Sequence, residues 1–170
     1  MHVRLATIED AEAIERIRIR GWQTAYRHIF PPEQLDAMKL DPQRFAQSLA
    51  QPAPRTAAFV AEDRDRIVGW AVVGASRDGD DIGELYGIYV DPDEWSRGAG
   101  RTLLLRAELE LALSWDEGIL WVLDDNPRAR RFYEHAGWQD DGARSQFDRR
   151  GFSAPLMRYR KRLRSSASRE

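Results

Sequence analysis

Two stretches of this chain hold residue types whose spacing could do chemistry. The first is WSRGAGRTLL, Trp95–Leu104, in which Gly98 and Gly100 bracket an alanine and run straight into leucines. Glycine in or beside a helix costs roughly 0.5–1 kcal/mol relative to alanine, so the pair needs a reason. A tight turn, a close helix–strand contact or an anion approaching the backbone would each supply one. A helix N-terminus exposes unpaired N–H groups and the positive end of its macrodipole, and Arg97 and Arg101 could add charge-assisted contacts to phosphate. On this stretch alone, an anion cradle and a turn tucking the helix onto a sheet stand level. The P-loop pattern requires a Gly-Lys-Ser/Thr ending that is absent, and the dinucleotide fingerprint puts a small residue where Leu103 stands.

The second stretch is LWVLDDNPRARRFYEHAGW, Leu120–Trp138. Asn126 suits a helix N-cap and Pro127 the first helical position. Ala129, Phe132, Tyr133 and Ala136 then share one face at i, i+3, i+4, i+7. By itself Tyr133 reads as a core tyrosine beside Phe132. The three histidines, His2, His28 and His135, form no metal pair, and His135 should face away from Tyr133. No metal is implied.

The surrounding elements can be read from pattern. Val3–Ala6 is a short strand, and Thr7–Asp10 resembles a capping box with Asp in place of Glu. The next helix carries Ile14, Ile17, Gly21 and Ala25 on one stripe, with Trp22 and Tyr26 beside it, and Pro31-Pro32 should end it. A second helical stretch covers about 33–49 with a break at Asp41-Pro42, and Gln51–Arg55 is a loop. Ala57–Ala61 and Arg66–Ala75 form a hairpin, Asp78–Asp81 a turn, and Glu84–Val90 a strand. A helix over about 100–115 bears leucines on most faces and should be largely buried. Ile119–Leu123 reads as a strand covered on both faces. Two last strands lie within Ala143–Phe147 and Leu156–Arg160, joined at Asp148–Gly151. Strand, glycine loop, helix, strand makes a βαβ unit with parallel strands. The hairpins add antiparallel strands, giving a mixed sheet with helices packed on it.

Composition narrows the class. The chain has 170 residues, 42% hydrophobic and 32% charged, with net charge −2, as one soluble globular domain should. No overall basic field points to nucleic acid, and the basic run Arg158–Ser166 reads as a solvated tail. The absence of cysteine excludes disulfides, thiolate metal sites and a cysteine nucleophile. No apolar run approaches the roughly 20 residues needed to span a bilayer, and the N-terminus lacks a signal-peptide core. A cytoplasmic protein without membrane or nucleic-acid partners is the expectation.

Taken together, ELYGIYVDPDEWSRGAGRTLL and LWVLDDNPRARRFYEHAGW closely resemble the acetyl-CoA motif and the following Asn–Tyr motif of the GNAT superfamily of N-acetyltransferases. The opening VRLATIEDAEAIERIRIRGWQTAYR is similar to the N-terminal strand and helix of small bacterial members. The resemblance covers nearly the whole chain, 1–163, with 164–170 as a polar tail. It implies an α/β (α+β) single-domain fold: a mixed, mostly antiparallel sheet with a central splayed parallel strand pair and helices on both faces. One departure stands out. Trp95 occupies the place of a Gln or Arg, and Ser96 a place where glycine is common.

The resemblance also implies roles. Acetyl-CoA is the co-substrate, its pyrophosphate over Ser96, Arg97, Gly98, Ala99, Gly100 and Arg101. Its pantetheine arm lies between the splayed strands against the backbone of Ile88, Tyr89 and Val90, with Asn126 near the strand end. Ile88 N–H is the oxyanion donor, and Tyr133 donates to the departing thiolate. The acceptor amine must be neutral, and an alkyl amine of pKa near 10.4 is only about one part in 10³ neutral at pH 7, a penalty of roughly 4–5 kcal/mol. A carboxylate is the natural proton acceptor. Glu84, which opens the strand that holds the thioester, is the leading candidate and Asp91 the weaker one; a plain surface glutamate is the competing reading of Glu84. Trp22 and Tyr26, one turn apart, either line an acceptor cleft or pack the core. The expectation is an amine N-acetyltransferase acting by direct attack in a ternary complex. An acyl-CoA-binding regulatory module is the rival, kept open by Trp95 at the loop entry and by the open choice of base. A homodimer is a further expectation, since small members of the family are often dimers.

Overall fold

The computed structural model describes residues 1–79, 81–149 and 151–163. The tail expected at 164–170 lies outside the described residues, as do Asp80 and Arg150 in two of the expected turns.

Seven strands form one sheet in the order β1-β2-β3-β4-β5-β7-β6. They are β1 (His2–Leu5), β2 (Ala57–Asp63), β3 (Arg66–Ala75), β4 (Gly83–Val90), β5 (Glu117–Leu123), β6 (Gln139–Arg149) and β7 (Phe152–Arg162). The pair β4–β5 is parallel and every other pair among the described residues is antiparallel. The helices are α1 (Ala11–Ala25), α2 (Pro32–Asp36), α3 (Gln43–Ala50), α4 (Ala99–Ala112) and α5 (Pro127–His135). Alternation along β2 sends Val60 to one face, with Trp70, Ile14 and Ile17 of α1, and Phe59 and Ala61 to the other, with Leu103 and Leu111 of α4. Tyr133 of α5 joins the α4 side. Helices therefore cover both faces of a single α/β domain, as expected.

The strand pattern also emerges where it was read, with differences that have physical causes. Thr7 donates its backbone N–H to Asp10 at 2.8 Å, and α1 follows directly. That helix stops at Ala25, before Pro31-Pro32, because the chain turns to bury Phe30 against Leu123 and Phe152. Pro32 instead starts α2, at the first helical position where a missing N–H costs nothing. The helix α4 is buried on one side only: Leu103, Leu104 and Leu111 are in the core, whereas Leu105, Leu109 and Leu113 are exposed. The last two strands are longer than their apolar centres, because ion pairs carry the pairing into polar sequence. Arg158 and Arg160 both reach Asp141, and Lys161 reaches Glu108. Arg158–Arg162 of the basic run is thus strand with acidic partners, not solvated tail.

Parallel pairing between β4 and β5 lasts three residues: Gly83 with Gly118, Glu84 with Ile119, Leu85 with Leu120. Beyond them β4 stays paired to β3 and β5 to β7, but not to each other. A bulge contributes, since Val72 faces Gly87 and Val73 faces Leu85, leaving Tyr86 as an extra residue. Such an insertion bends its strand and raises the local twist. At the closed end, a Cβ on Gly83 would sit 2.7 Å from Leu111 Cδ2 and 2.9 Å from Trp115 Cε3, and one on Gly118 would sit 3.5 Å from Leu111 Cδ1. Gly83 forms a notch for Leu111 and Trp115, and Gly118 makes room for Trp138, which its Cβ would approach to 3.2 Å. Gly83→Ala should therefore destabilise the fold by about 1–3 kcal/mol through overpacking. A lower urea midpoint with unchanged m-value is the expected readout; an unchanged midpoint would show that α4 moves aside freely.

Candidate active site

The open end of the splay forms the wall of a cleft of about 2050 Å³. Ile88, Tyr89 and Val90 line it from β4, and Trp121, Val122 and Leu123 from β5. Asp91 N–H bonds to Val68 of β3, so by alternation the backbone groups of Ile88 and Val90 point the other way, toward the splay. These are the positions at which an extended ligand could add to the strand edge and satisfy its backbone.

The turn between β4 and α4 has two left-handed residues, Ser96 at φ 65° and Gly98 at φ 95°. Glycine takes that conformation freely, while Ser96 carries about 1–2 kcal/mol of strain where the resemblance leads one to expect glycine. Gly98 is needed for its φ. Gly100 is needed for neither shape nor space within the protein, because a Cβ there would make ordinary contacts of 3.5 Å with Phe132 and 3.6 Å with Val90. Gly98, Gly100, Ser96 and Arg101 line the cleft, next to the first N–H groups of α4. Ala99 is buried beneath the turn. Arg97 leans back to Glu94 at 3.2 Å, and Glu94 also accepts from Arg66 at 2.5 Å.

At the mouth of that turn the indole N–H of Trp95 donates to the Val90 carbonyl at 2.9 Å. The side chain in place of the expected Gln or Arg thus still caps the strand end. Its ring face is covered by the Arg128 guanidinium, 3.8 Å from the centroid. Asn126 caps α5, its Oδ1 accepting from Ala129 N–H at 3.1 Å, and it lines the cleft as well.

Tyr133 lies deep in the cleft, 7% exposed, edge-on to Phe132 at 5.2 Å. Burial first, and then neighbouring Tyr89, pushes its phenol well above the ordinary tyrosine range. Its hydroxyl has no hydrogen-bond partner among the described residues. Tyr26 is pushed up in the same way, by burial and then by Tyr89 and Tyr133. Trp22 donates its indole N–H to Tyr89 Oη at 3.2 Å and packs edge-on to Tyr26 at 5.3 Å. Both Trp22 and Tyr26 line the cleft, and both pack on the Phe30–Phe152 cluster. These residues therefore pack the core and also border the cleft.

Glu84 is fully buried and lines the far part of the cleft. Arg77 covers it: the Arg77 backbone N–H reaches Oε2 at 2.8 Å, and its guanidinium Nε reaches Oε1 at 3.0 Å with Nη2 closer still. Asp91 is bound on both oxygens by Arg20 at 2.7 Å and accepts from Asp93 N–H, which ties α1 to the turn after β4. Sequence reasoning missed Arg77 and Arg128. Arg77 adjoins a turn of acids, and Arg128 is one of four arginines or prolines after Asn126 with no spacing that marks it out.

Residues 17–138 match the model of the Acetyltransferase (GNAT) family. The N-acetyltransferase YuaI of Bacillus subtilis, itself uncharacterized, is 33% identical over 130 residues, covering 74% of this chain and 73% of its own length. A mycothiol acetyltransferase of Thermobispora bispora is 39% identical over 85 residues, 47% of this chain but 29% of that protein. Among solved structures, the PaiA N-acetyltransferase of Thermoplasma acidophilum in complex with coenzyme A superposes with a TM-score of 0.74 at 20% identity, over 95% of this chain and 98% of that one. The structure of yncA from Salmonella typhimurium with acetyl-CoA gives 0.74 at 21% identity, over 99% and 97%. On sequence, supported by fold, the chain belongs to the GNAT acetyltransferase family.

Proposed function

We propose that this protein transfers an acetyl group from acetyl-CoA to a primary amine by direct attack within a ternary complex. The observation that carries the reading is a buried, neutral phenol with an unpartnered hydroxyl, Tyr133, at the base of a splay whose other end meets the Gly98–Gly100 turn. Bound acetyl-CoA would supply the activated acyl group and a thiolate leaving group. The residues present fit it: apart from its chain neighbours, no protein atom stands within 4 Å of where a Cβ on Gly98 would be, and the first N–H groups of α4 suit a pyrophosphate.

In this reading, backbone N–H groups at Ile88 and Val90 hold the acyl arm along β4, with Tyr89 between them, and Ile88 N–H faces the developing oxyanion. Ser96, Gly98, Ala99, Gly100 and Arg101 hold the pyrophosphate, with Arg97 adding charge while anchored to Glu94. Asn126 borders the arm and Tyr133 donates a proton toward the departing sulfur. Glu84 takes the amine proton, directly or through water, which requires its oxygens to be shared with or released by Arg77. Trp22 and Tyr26 wall the acceptor side, where their rings suit the apolar part of an amine substrate. Asp91, tied to Arg20, serves the frame.

The rival, a coenzyme-binding regulatory module, rests on Trp95 and on the identity of the base. The indole's bond to Val90 favours transfer over the rival, because it fixes the entry to the turn. Release of free thiol in the presence of an amine panel separates the two readings.

Three outcomes are expected. Acetyl-CoA at a hundred times its Kd should stabilise the protein by about 2.7 kcal/mol, raising the melting midpoint, while ADP and NAD at equal concentration should not; no shift near millimolar acetyl-CoA would overturn the reading. Tyr133→Phe should lower kcat by about 10²–10⁴-fold and leave CoA affinity within about twofold, since the phenol is not needed for binding; unchanged turnover would remove Tyr133 from catalysis. Glu84→Gln should slow transfer to an alkyl amine, and the deficit should shrink for an amine of pKa near 7 that needs no base. A deficit equal for both amines would make Glu84 a strut for Arg77.

A further inference from the structure

Two arginines that line the cleft are neutralised by a carboxylate, Arg77 by Glu84 and Arg18 by Glu15, and beside it Arg97 holds Glu94 and Arg20 holds Asp91. Arg128 is held differently, against a ring. It lines the cleft and has no ion-pair partner among the described residues. Its Cζ lies 3.8 Å from the centroid of the Trp95 ring, and Trp95 is itself fixed by its bond to the Val90 carbonyl. A guanidinium stacked on a ring keeps its N–H donors in its own plane, free to take a bidentate anion, and the ring restricts its rotamers without neutralising it. Burial pushes the group's pKa down, the direction expected of a cation drawn partly from water with no countercharge.

Building on the proposed function, we infer that Arg128, held against Trp95, is the binding site for the 3′-phosphate of coenzyme A. The N–H groups of the turn and Arg101 serve the pyrophosphate. Arg128 stands on α5, across the splay from α4, and meets the turn through Trp95. A phosphate monoester carries about 1.5–2 negative charges near pH 7, and a planar fork matches it better than a point charge does. The side chain that replaces the expected Gln or Arg at position 95 therefore positions a cation contributed by a different element.

The test is isothermal titration of the full chain with coenzyme A and with 3′-dephospho-coenzyme A, using wild type, Arg128→Ala, Arg128→Lys and Trp95→Phe, each checked for its melting midpoint. Wild type should prefer coenzyme A by about tenfold or more, as a charge-assisted bidentate contact supplies. Arg128→Ala should abolish that preference while leaving dephospho-coenzyme A affinity within about twofold. Arg128→Lys should restore part of it, and Trp95→Phe, which keeps a ring but loses its anchor, should retain part of it. A preference that survives Arg128→Ala overturns the inference, as does an equal loss for both ligands, which would place Arg128 on the pyrophosphate. Wild type that binds neither ligand would overturn the proposed function itself, a result distinct from the other two.

Discussion

Everything at this site depends on a parallel ladder that is only three residues long. Gly83–Leu85 and Gly118–Leu120 are in register, and then the strands part. A longer ladder would close the sheet and leave no edge for a ligand, whereas none would let the sheet come apart at its centre. Gly83 resolves this by letting Leu111 and Trp115 pack against the strand pair at the closed end, while Gly118 admits Trp138. The helix that carries the glycine turn at its N-terminus thus clamps the strand pair near its C-terminus. The 14 residues of α4, at 1.5 Å each, span about 20 Å, so clamp and turn are held at opposite ends of one rigid rod.

Electrostatics at the site follow a second constraint, that buried carboxylates must be partnered. Asp91, Glu94 and Glu84 are all buried near the splay, and each holds an arginine. Two of these pairs brace the turn after β4, from α1 through Arg20 and from the start of β3 through Arg66. The turn is therefore stiff despite its glycines, and its left-handed Ser96 is held in place by structure on both sides. Preorganised N–H donors require such bracing, since a loose turn would have to be ordered as the anion bound.

Much of this was legible in the sequence, and what escaped was non-local. Asn126 before Pro127, the alternation in β2 and β3, and the glycines at 98 and 100 are local signals whose physics acts within a few residues. They placed the elements, the turn and the capping asparagine. Pro31-Pro32 misled because proline both ends and starts helices, and the choice depended on where Phe30 found its core. The leucines of α4 and its C-cap misled because Leu105, Leu109 and Leu113 have the composition of a core face but no element among the described residues packs over them. The partners of Glu84 and Asp91 lie seven and seventy-one residues away along the chain, and no spacing rule connects them.

The two ends of the cleft have opposite character. At one end three phenols, Tyr133, Tyr26 and Tyr89, lie near one another; burial first, and then Tyr89, makes charge on Tyr133 less favourable, and Tyr26 is pushed the same way. That keeps Tyr133 protonated across the range in which an amine could be acylated, the state a proton donor needs. Near the turn, by contrast, backbone N–H groups and unpaired guanidinium favour negative charge. A ligand with an anionic head and a neutral, extended tail is matched to this gradient along its whole length, whereas a compact anion would gain from one end alone. In the proposed reading, the polarity of the cleft, rather than any single residue in it, would set which way the coenzyme lies, with its sulfur toward the phenol.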